Sequence, residues 1–223
     1  MPEAGFGGTL NDQTQALLRN RILSGAIAPG SRILEVELAE ELGIGRGTLR
    51  SALQQLSVEH LVVQKRFRST YVATATATDV FETYTLRNAL ESLACRLVAE
   101  KITPEGTQKL NDILAVMARA VAGDDRGGVV DADYTLHRAI IELAGHGRLT
   151  EHYLQIEAQT RLFLNLSAGS DYDLPTILTI HRELADAIIA GDADRAASLG
   201  GDHNTSDGKR MTQTLRDQEG SAQ

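Results

Sequence analysis

The sequence predicts a mainly α fold: an N-terminal winged helix-turn-helix with a small β-hairpin, then a C-terminal antiparallel all-helical bundle. Three observations predict it. Residues 25–72 read as helix, glycine turn, helix and a short basic hairpin. The charge balance changes near residue 75, with eight basic against seven acidic residues before it and fourteen against twenty-three after it. The later part consists of about six helix-like segments separated by glycine-rich breaks.

The elements follow in order. Residues 1–12 read as a flexible leader, polar and carrying Gly5, Gly7 and Gly8. Residues 15–23 form a first helix, ended by Gly25 and the Pro29-Gly30 turn. Residues 34–42 and 46–56 are two more, separated by Gly43; Leu38 and Leu42, then Leu49, Leu53 and Leu56, supply their inward stripes. Residues 61–63 and 70–72 read as two short strands around a basic tip. These complete a domain over residues 13–75. A second domain covers residues 76–213, opened by a helix that Thr78 can cap and that runs to about residue 100. Thr103-Pro104-Glu105 opens the next helix with a capping hydroxyl, a proline at the first helical position and an acid in the first turn. Residues 214–223 read as a flexible tail.

Composition narrows the function. A net charge of −8 does not exclude nucleic acid, because a phosphate meets the local field rather than the total. The one cysteine, Cys95, sits in an apolar helical pattern and reads as a buried, inert thiol compatible with a reducing cytoplasm. No apolar run approaches the roughly 20 residues needed to span a bilayer, and no signal peptide opens the chain. The expected location is the cytoplasm, away from membranes.

Two groups of residues carry chemistry. Arg46, Arg50 and Gln54, spaced by four, lie opposite the leucine stripe of the third helix. There arginine can make two hydrogen bonds to a guanine edge, and glutamine two to adenine. Thr48 and Ser51 can reach phosphate oxygens, and Lys65, Arg66 and Arg68 at the hairpin tip can follow the backbone or enter the minor groove. The second group is Asp133, His137, His181 and His203. Asp133 and His137, four apart, put a carboxylate and an imidazole on one helix face, which is half a metal site. A helical hairpin can return His181 and His203 to the same point. Such a set suits a divalent ion, zinc first, with nickel, manganese or iron as alternatives.

Both groups resemble known families. Ile22-Leu23-Ser24-Gly25, Pro29-Gly30, Glu37-Leu38-Ala39, Leu42-Gly43, Arg46, Arg50, Ala52-Leu53, Leu56, Glu59 and Leu61 resemble the winged-helix domain of the GntR family of bacterial transcription regulators. The sequence departs from that pattern at Val36, Gly45, Thr48 and Ser69. Arg87-x2-Leu90-Glu91, Asp133-x3-His137, Ala144-Gly145, His181, Gly191-Asp192 and His203 are similar to the helical effector domain of its FadR-type branch, the FCD domain. Two departures fall in this part: Gly200-Gly201, which interrupts the helix expected to deliver His203, and His146 in place of asparagine.

The resemblance implies a divalent metal held by Asp133, His137, His181 and His203 inside the bundle. An open position on that metal can accept a small carboxylate metabolite, whose second charged end Arg87 and Arg161 are candidates to pair. The bland alternative for Arg87 is an i,i+4 bridge to Glu91, and for Arg161 a solvated face. The reading is a ligand-responsive regulator, a repressor, that binds a palindromic double-stranded DNA operator as a homodimer. A metal-dependent helical enzyme would use the same donors. No separate general base, nucleophile or glycine-rich phosphate loop accompanies them, so the chain is read as a non-enzyme. A DNA-binding sensor of the metal itself, and a helical domain that only dimerises, are the remaining alternatives.

Overall fold

The computed structural model describes residues 8–65, 69–167, 173–202 and 205–221. The chain divides into two compact units, Met1–Thr74 and Ala75–Gln223. No helix among the described residues is long and apolar enough to cross a membrane.

The first unit contains α1 (Leu10–Leu23), β1 (Arg32–Ile33), α2 (Glu35–Leu42), α3 (Arg46–Val58), β2 (Val62–Lys65) and β3 (Ser69–Val72). Residues 10–12, expected in a flexible leader, are instead the first turn of α1. Thr9 and Asp12 form a reciprocal capping box, the Asp12 carboxylate accepting from Thr9 N–H at 2.8 Å and the Thr9 hydroxyl accepting from Asp12 N–H at 3.3 Å, which satisfies otherwise orphaned donors. Gly43 ends α2 with φ of 63°, a left-handed conformation that glycine adopts without a Cβ clash. Its N–H and that of Ile44 return to the last turn of α2.

The hairpin expected from the sequence is present and is joined by a strand that was not expected. The sheet order is β1-β3-β2, antiparallel, with Ile33 opposite Thr70 and Val63 opposite Tyr71. Two residues are too few to show a period of two, so β1 left no alternation to read. Leu49, Leu53 and Leu56 of α3 are buried with Leu18 and Ile22 of α1 and with Leu61, Val62 and Val72 of the sheet. Leu38 and Leu42 are only half-buried, and Ala39 is the buried residue of α2. Glu59, just beyond α3, accepts from Arg19 Nε at 2.7 Å, Arg19 Nη2 at 2.6 Å and Gln15 Nε2 at 2.6 Å. This forked contact fixes α1 against the end of α3.

The second unit contains α4 (Ala77–Ala99), α5 (Pro104–Ala122), α6 (Arg126–Leu143), α7 (Gly147–Ser167), α8 (Leu174–Ile189), α9 (Ala193–Asp202) and α10 (Thr205–Ser221). Thr76, not Thr78, caps α4 through a box with Asp79. Thr103 and Pro104 open α5 by the chemistry expected of them. The polar end of the chain, expected to be a tail from residue 214, is helical to Ser221. Cys95, Val98, Leu110, Leu136, Ile140, Tyr153, Leu184 and Ile188 pack into one core. Burial pushes the Cys95 thiol up out of its ordinary range.

The Gly200-Gly201 pair, expected to interrupt a helix, does not. It lies inside α9, where its lack of side chain allows α9 to lie against α4. A Cβ on Gly200 would sit 2.6 Å from Cys95 Sγ and 3.2 Å from the Glu91 carbonyl oxygen. Gly208 of α10 repeats the device, since a Cβ there would meet the Tyr84 ring at 2.9 Å. Replacing Gly200 with valine is therefore expected to lower stability by about 1–3 kcal/mol through overpacking, measured by chemical denaturation followed by circular dichroism. An unchanged midpoint would show that this seam is looser than described.

Candidate nucleic-acid interface and candidate metal centre

In the first unit the buried leucines of α3 fix its rotation, and Arg46, Arg50 and Gln54 consequently stand exposed on the opposite face. Thr48 and Ser51 are half-buried at its flanks. Arg50 is outward but not loose. Its side chain keeps 60% of its surface exposed while Nε donates to Glu35 Oε2 at 2.7 Å. Glu35 opens α2 and also accepts from the Thr70 hydroxyl of β3 at 3.4 Å. One carboxylate thus ties the guanidinium of α3 to the sheet. Glu35 was missed because the pairing spans fifteen positions and has no local period. Lys65, exposed at the end of β2, holds Nζ 5.0 Å from the Tyr71 ring centroid, a cation–π contact that stiffens it. Arg66 and Arg68 lie outside the described residues.

In the second unit two helices bring together residues far apart in sequence. Asp133 and His137 project from α6 and His181 from α8, and one ligand atom from each lies within 4.8 Å of the others. His137 Nε2 is 3.6 Å from Asp133 Oδ1, and His181 Nε2 pairs with the same oxygen. The two rings meet edge to face with centroids 5.5 Å apart. His203 lies outside the described residues.

The outer nitrogens of both rings are also held. His181 Nδ1 lies 2.7 Å from the Ile177 carbonyl; a carbonyl only accepts, so Nδ1 carries the proton and Nε2 is directed at Asp133. His137 Nδ1 donates to Glu91 Oε2 at 3.0 Å. Glu91, on α4, also accepts at Oε1 from Arg87 Nε at 2.6 Å and from Tyr153 Oη of α7 at 3.2 Å. Arg87, Glu91, Asp133, His137, Tyr153 and His181 are all buried. Burial by itself would raise the Glu91 carboxyl, but Arg87 and His137 outweigh it and hold the group down at about 2. Burial likewise opposes a charged His137, yet the carboxylates of Glu91 and Asp133 push it up to about 9. Asp133 is kept well below its usual range: burial again opposes, and His181 and His137 prevail.

The donor set fits a divalent cation. Two imidazole nitrogens and a carboxylate oxygen converge, each ring is oriented through its second nitrogen in the manner of metal-bound histidines, and buried Asp133 Oδ2 has no hydrogen-bond partner among the described residues. A buried acceptor left unsatisfied costs free energy, and a cation relieves it. Arg87 makes the bridge to Glu91 that spacing allowed, but as a fully buried pair with Nη1 lacking a partner among the described residues. Arg161 does not join this group. Its Nη2 pairs with Asp131 at 2.9 Å and its guanidinium lies 4.9 Å from the Tyr134 ring centroid, both on another flank of α6. His146 Nδ1 accepts from Leu149 N–H at 3.2 Å, taking the role of a cap at the start of α7. Glu91 and Tyr153 were not recognised as parts of the site. The available signal was an Arg-Glu pair inside the stripe of α4 that Thr83, Ala94 and Val98 mark as buried.

Comparison with known proteins gives two family matches: residues 10–72 match the bacterial regulatory proteins of the gntR family, and residues 82–206 match the FCD domain. The Probable D-xylose utilization operon transcriptional repressor of Paenarthrobacter nicotinovorans is 28% identical over 190 residues, 84% of this chain and 82% of that protein. The Galactonate operon transcriptional repressor of Escherichia coli K12 is 26% identical over 211 residues, 84% of this chain and 91% of that one. Among solved structures, a GntR transcriptional regulator of Rhodococcus sp. RHA1 superposes with TM-score 0.79 at 24% identity, over 92% of this chain and 98% of that one. McbR/YncC of E. coli does so with TM-score 0.80 at 20% identity, over 93% and 99%. These two structural likenesses establish the fold.

The placement of Arg50 on α3 and Lys65 at the end of β2 predicts distinct roles for two cations. Arg50→Ala is expected to cost about 1–3 kcal/mol on a specific site and to relax base preference. Lys65→Ala should weaken all sequences alike and reduce the salt slope by about one. Fluorescence anisotropy on specific and random duplexes at several salt concentrations measures both, and equal losses on the two duplexes for both variants would contradict the assignment.

Proposed function

We infer that this chain, which belongs to the GntR family of bacterial transcription regulators and carries an FCD domain, couples operator binding by its winged helix to a small carboxylate metabolite bound in the helical unit. Its membership makes it a transcription regulator rather than an enzyme. The relatives named as operon repressors support repression as the mode of action here. The operator is a palindrome, read by a homodimer whose two α3 helices enter successive major grooves about 34 Å apart. Arg46, Arg50 and Gln54 read base edges. Thr48, Ser51 and Lys65 contact phosphates, with Arg66 and Arg68 assigned to the same task from the sequence.

In the helical unit Asp133, His137 and His181 hold a divalent ion, zinc by the nitrogen-rich donor set, with His203 the expected fourth ligand. The observation that carries this reading is the partnerless, buried Asp133 Oδ2 beside two oriented imidazoles. The ion supplies Lewis acidity and positive charge in an acidic domain, which suits an anionic metabolite. Arg87 contributes a guanidinium with one nitrogen unpaired among the described residues, able to donate to a carboxylate. Arg161 has no part in this reading, because Asp131 and Tyr134 already occupy it. Effector and operator are then linked thermodynamically, each altering the affinity of the other by one common factor.

Thermal denaturation of the metal-loaded chain against a panel of small organic acids tests the proposal. A true effector raises the midpoint by mass action and changes operator affinity, and the His181→Ala variant, shown by elemental analysis to lack the metal, loses both responses. Purified chain that never carries stoichiometric metal, with a His181→Ala variant of unchanged stability, would overturn it. Operator affinity that follows metal concentration with no organic acid would make the metal itself the signal.

A further inference from the structure

Helix α2 begins with side chains that its own chemistry does not favour. Leu34 stands at the N-cap, where a hydroxyl, amide or carboxylate would accept from a backbone N–H, and makes no such bond. Val36, two positions on, is a β-branched residue left 50% exposed, where an acidic or straight-chain residue would support the helix better. Neither serves the core of the first unit, since Ala39 is the buried residue of α2. Between them sits Glu35, whose carboxylate takes Arg50 Nε at 2.7 Å and the Thr70 hydroxyl at 3.4 Å. The exposed apolar surface therefore flanks the carboxylate that ties α2 to the arginine assigned to base reading. The sequence departs from the GntR pattern at Val36, so this residue is a property of the chain itself.

We propose that Val36 is a specificity-determining residue, its isopropyl group packing against the 5-methyl group of a thymine next to the base pair that Arg50 reads. The proposal rests on the base-reading role of Arg50 given above. Of the four bases only thymine offers an apolar group in the major groove, and it is read by apolar contact. A phosphate is the wrong occupant, because valine has no donor and the carboxylates of Glu35 and Glu37 on either side would repel it. Neighbouring Cα atoms lie about 3.8 Å apart, and successive bases along a strand about 3.4 Å. Val36 thus stands about one base step from the residue that holds Arg50. Single exposed apolar residues are ordinary on a protein surface; this one is distinguished by its place beside the tether of Arg50 and by its cost to the helix that carries it.

Selection from a random duplex library with the full chain supplies the probe, its preferred duplex. Each thymine of that duplex is then replaced by uracil, which removes the 5-methyl group and leaves every hydrogen-bonding edge unchanged. Fluorescence anisotropy should show that uracil weakens wild-type binding about fourfold per half-site at one thymine, the worth of one buried carbon. That thymine should adjoin the guanine at which Arg50→Ala relaxes preference. Val36→Ala, with helix content unchanged by circular dichroism, should bind the thymine duplex about fourfold or more weakly and no longer distinguish thymine from uracil there, so that the two losses do not add. Val36→Ile, which keeps the branched carbon, should retain the distinction. Wild-type binding insensitive to uracil at every thymine, or a Val36→Ala variant that still discriminates as wild type does, overturns the role of Val36 and leaves base reading by Arg50 intact. A base preference unmoved by Arg50→Ala overturns the reading on which the proposal rests.

Discussion

The helical unit is organised around one buried carboxylate. Glu91 accepts from Arg87 on its own helix, from Tyr153 on α7 and from His137 on α6, so a single side chain joins three helices at the level where Asp133 and His181 meet. Its negative charge is stable there because the three donors compensate for lost hydration. The same contact fixes which nitrogen of His137 faces Asp133. Removing the carboxylate would strand Arg87 and release His137 together. One side chain therefore supports both the packing of three helices and the orientation of the His137 ring.

A comparable economy operates in the first unit. Three leucines of α3 turn Arg46, Arg50 and Gln54 outward, and Glu35 then holds Arg50 in place through a contact that also reaches β3. Base reading needs a guanidinium presented in a fixed plane, and an exposed arginine on a free stem loses side-chain entropy on binding. The tether takes part of that loss during folding. It also explains why an acidic residue lies beside a surface assigned to phosphate and base contacts.

Much of this was legible in the sequence because it is local. The α2-Gly43-α3 segment, the hairpin, the Thr103-Pro104 helix start and the Asp133-x3-His137 face follow from periodicity, capping and turn chemistry within a few residues. What could not be read depends on partners distant in sequence. β1 is two residues long and exists through its pairing with β3. Gly200 and Gly201 look like helix breakers by propensity, yet the structure uses them for contact with Cys95 and Ser92 across the α4–α9 seam, a gain that propensity does not include. Glu91 was visible only as a neighbour of Arg87, because its links to His137 and Tyr153 are tertiary. Arg161 shows the converse: a candidate for the ligand's second charged end from the sequence, it pairs with Asp131 and lies over the Tyr134 ring on another flank of α6.

The central claim, that Glu91 holds the geometry of the proposed metal centre by orienting His137, is tested most directly by the divalent-metal affinity of the Glu91→Gln variant against wild type, measured by competition with a chromogenic chelator on chain shown to be folded by circular dichroism. Loss of a supporting group of this kind is expected to weaken binding by about 10–100-fold. A folded variant that binds the ion as tightly as wild type would show that the imidazole is oriented without the carboxylate, and the account built on Glu91 would be wrong.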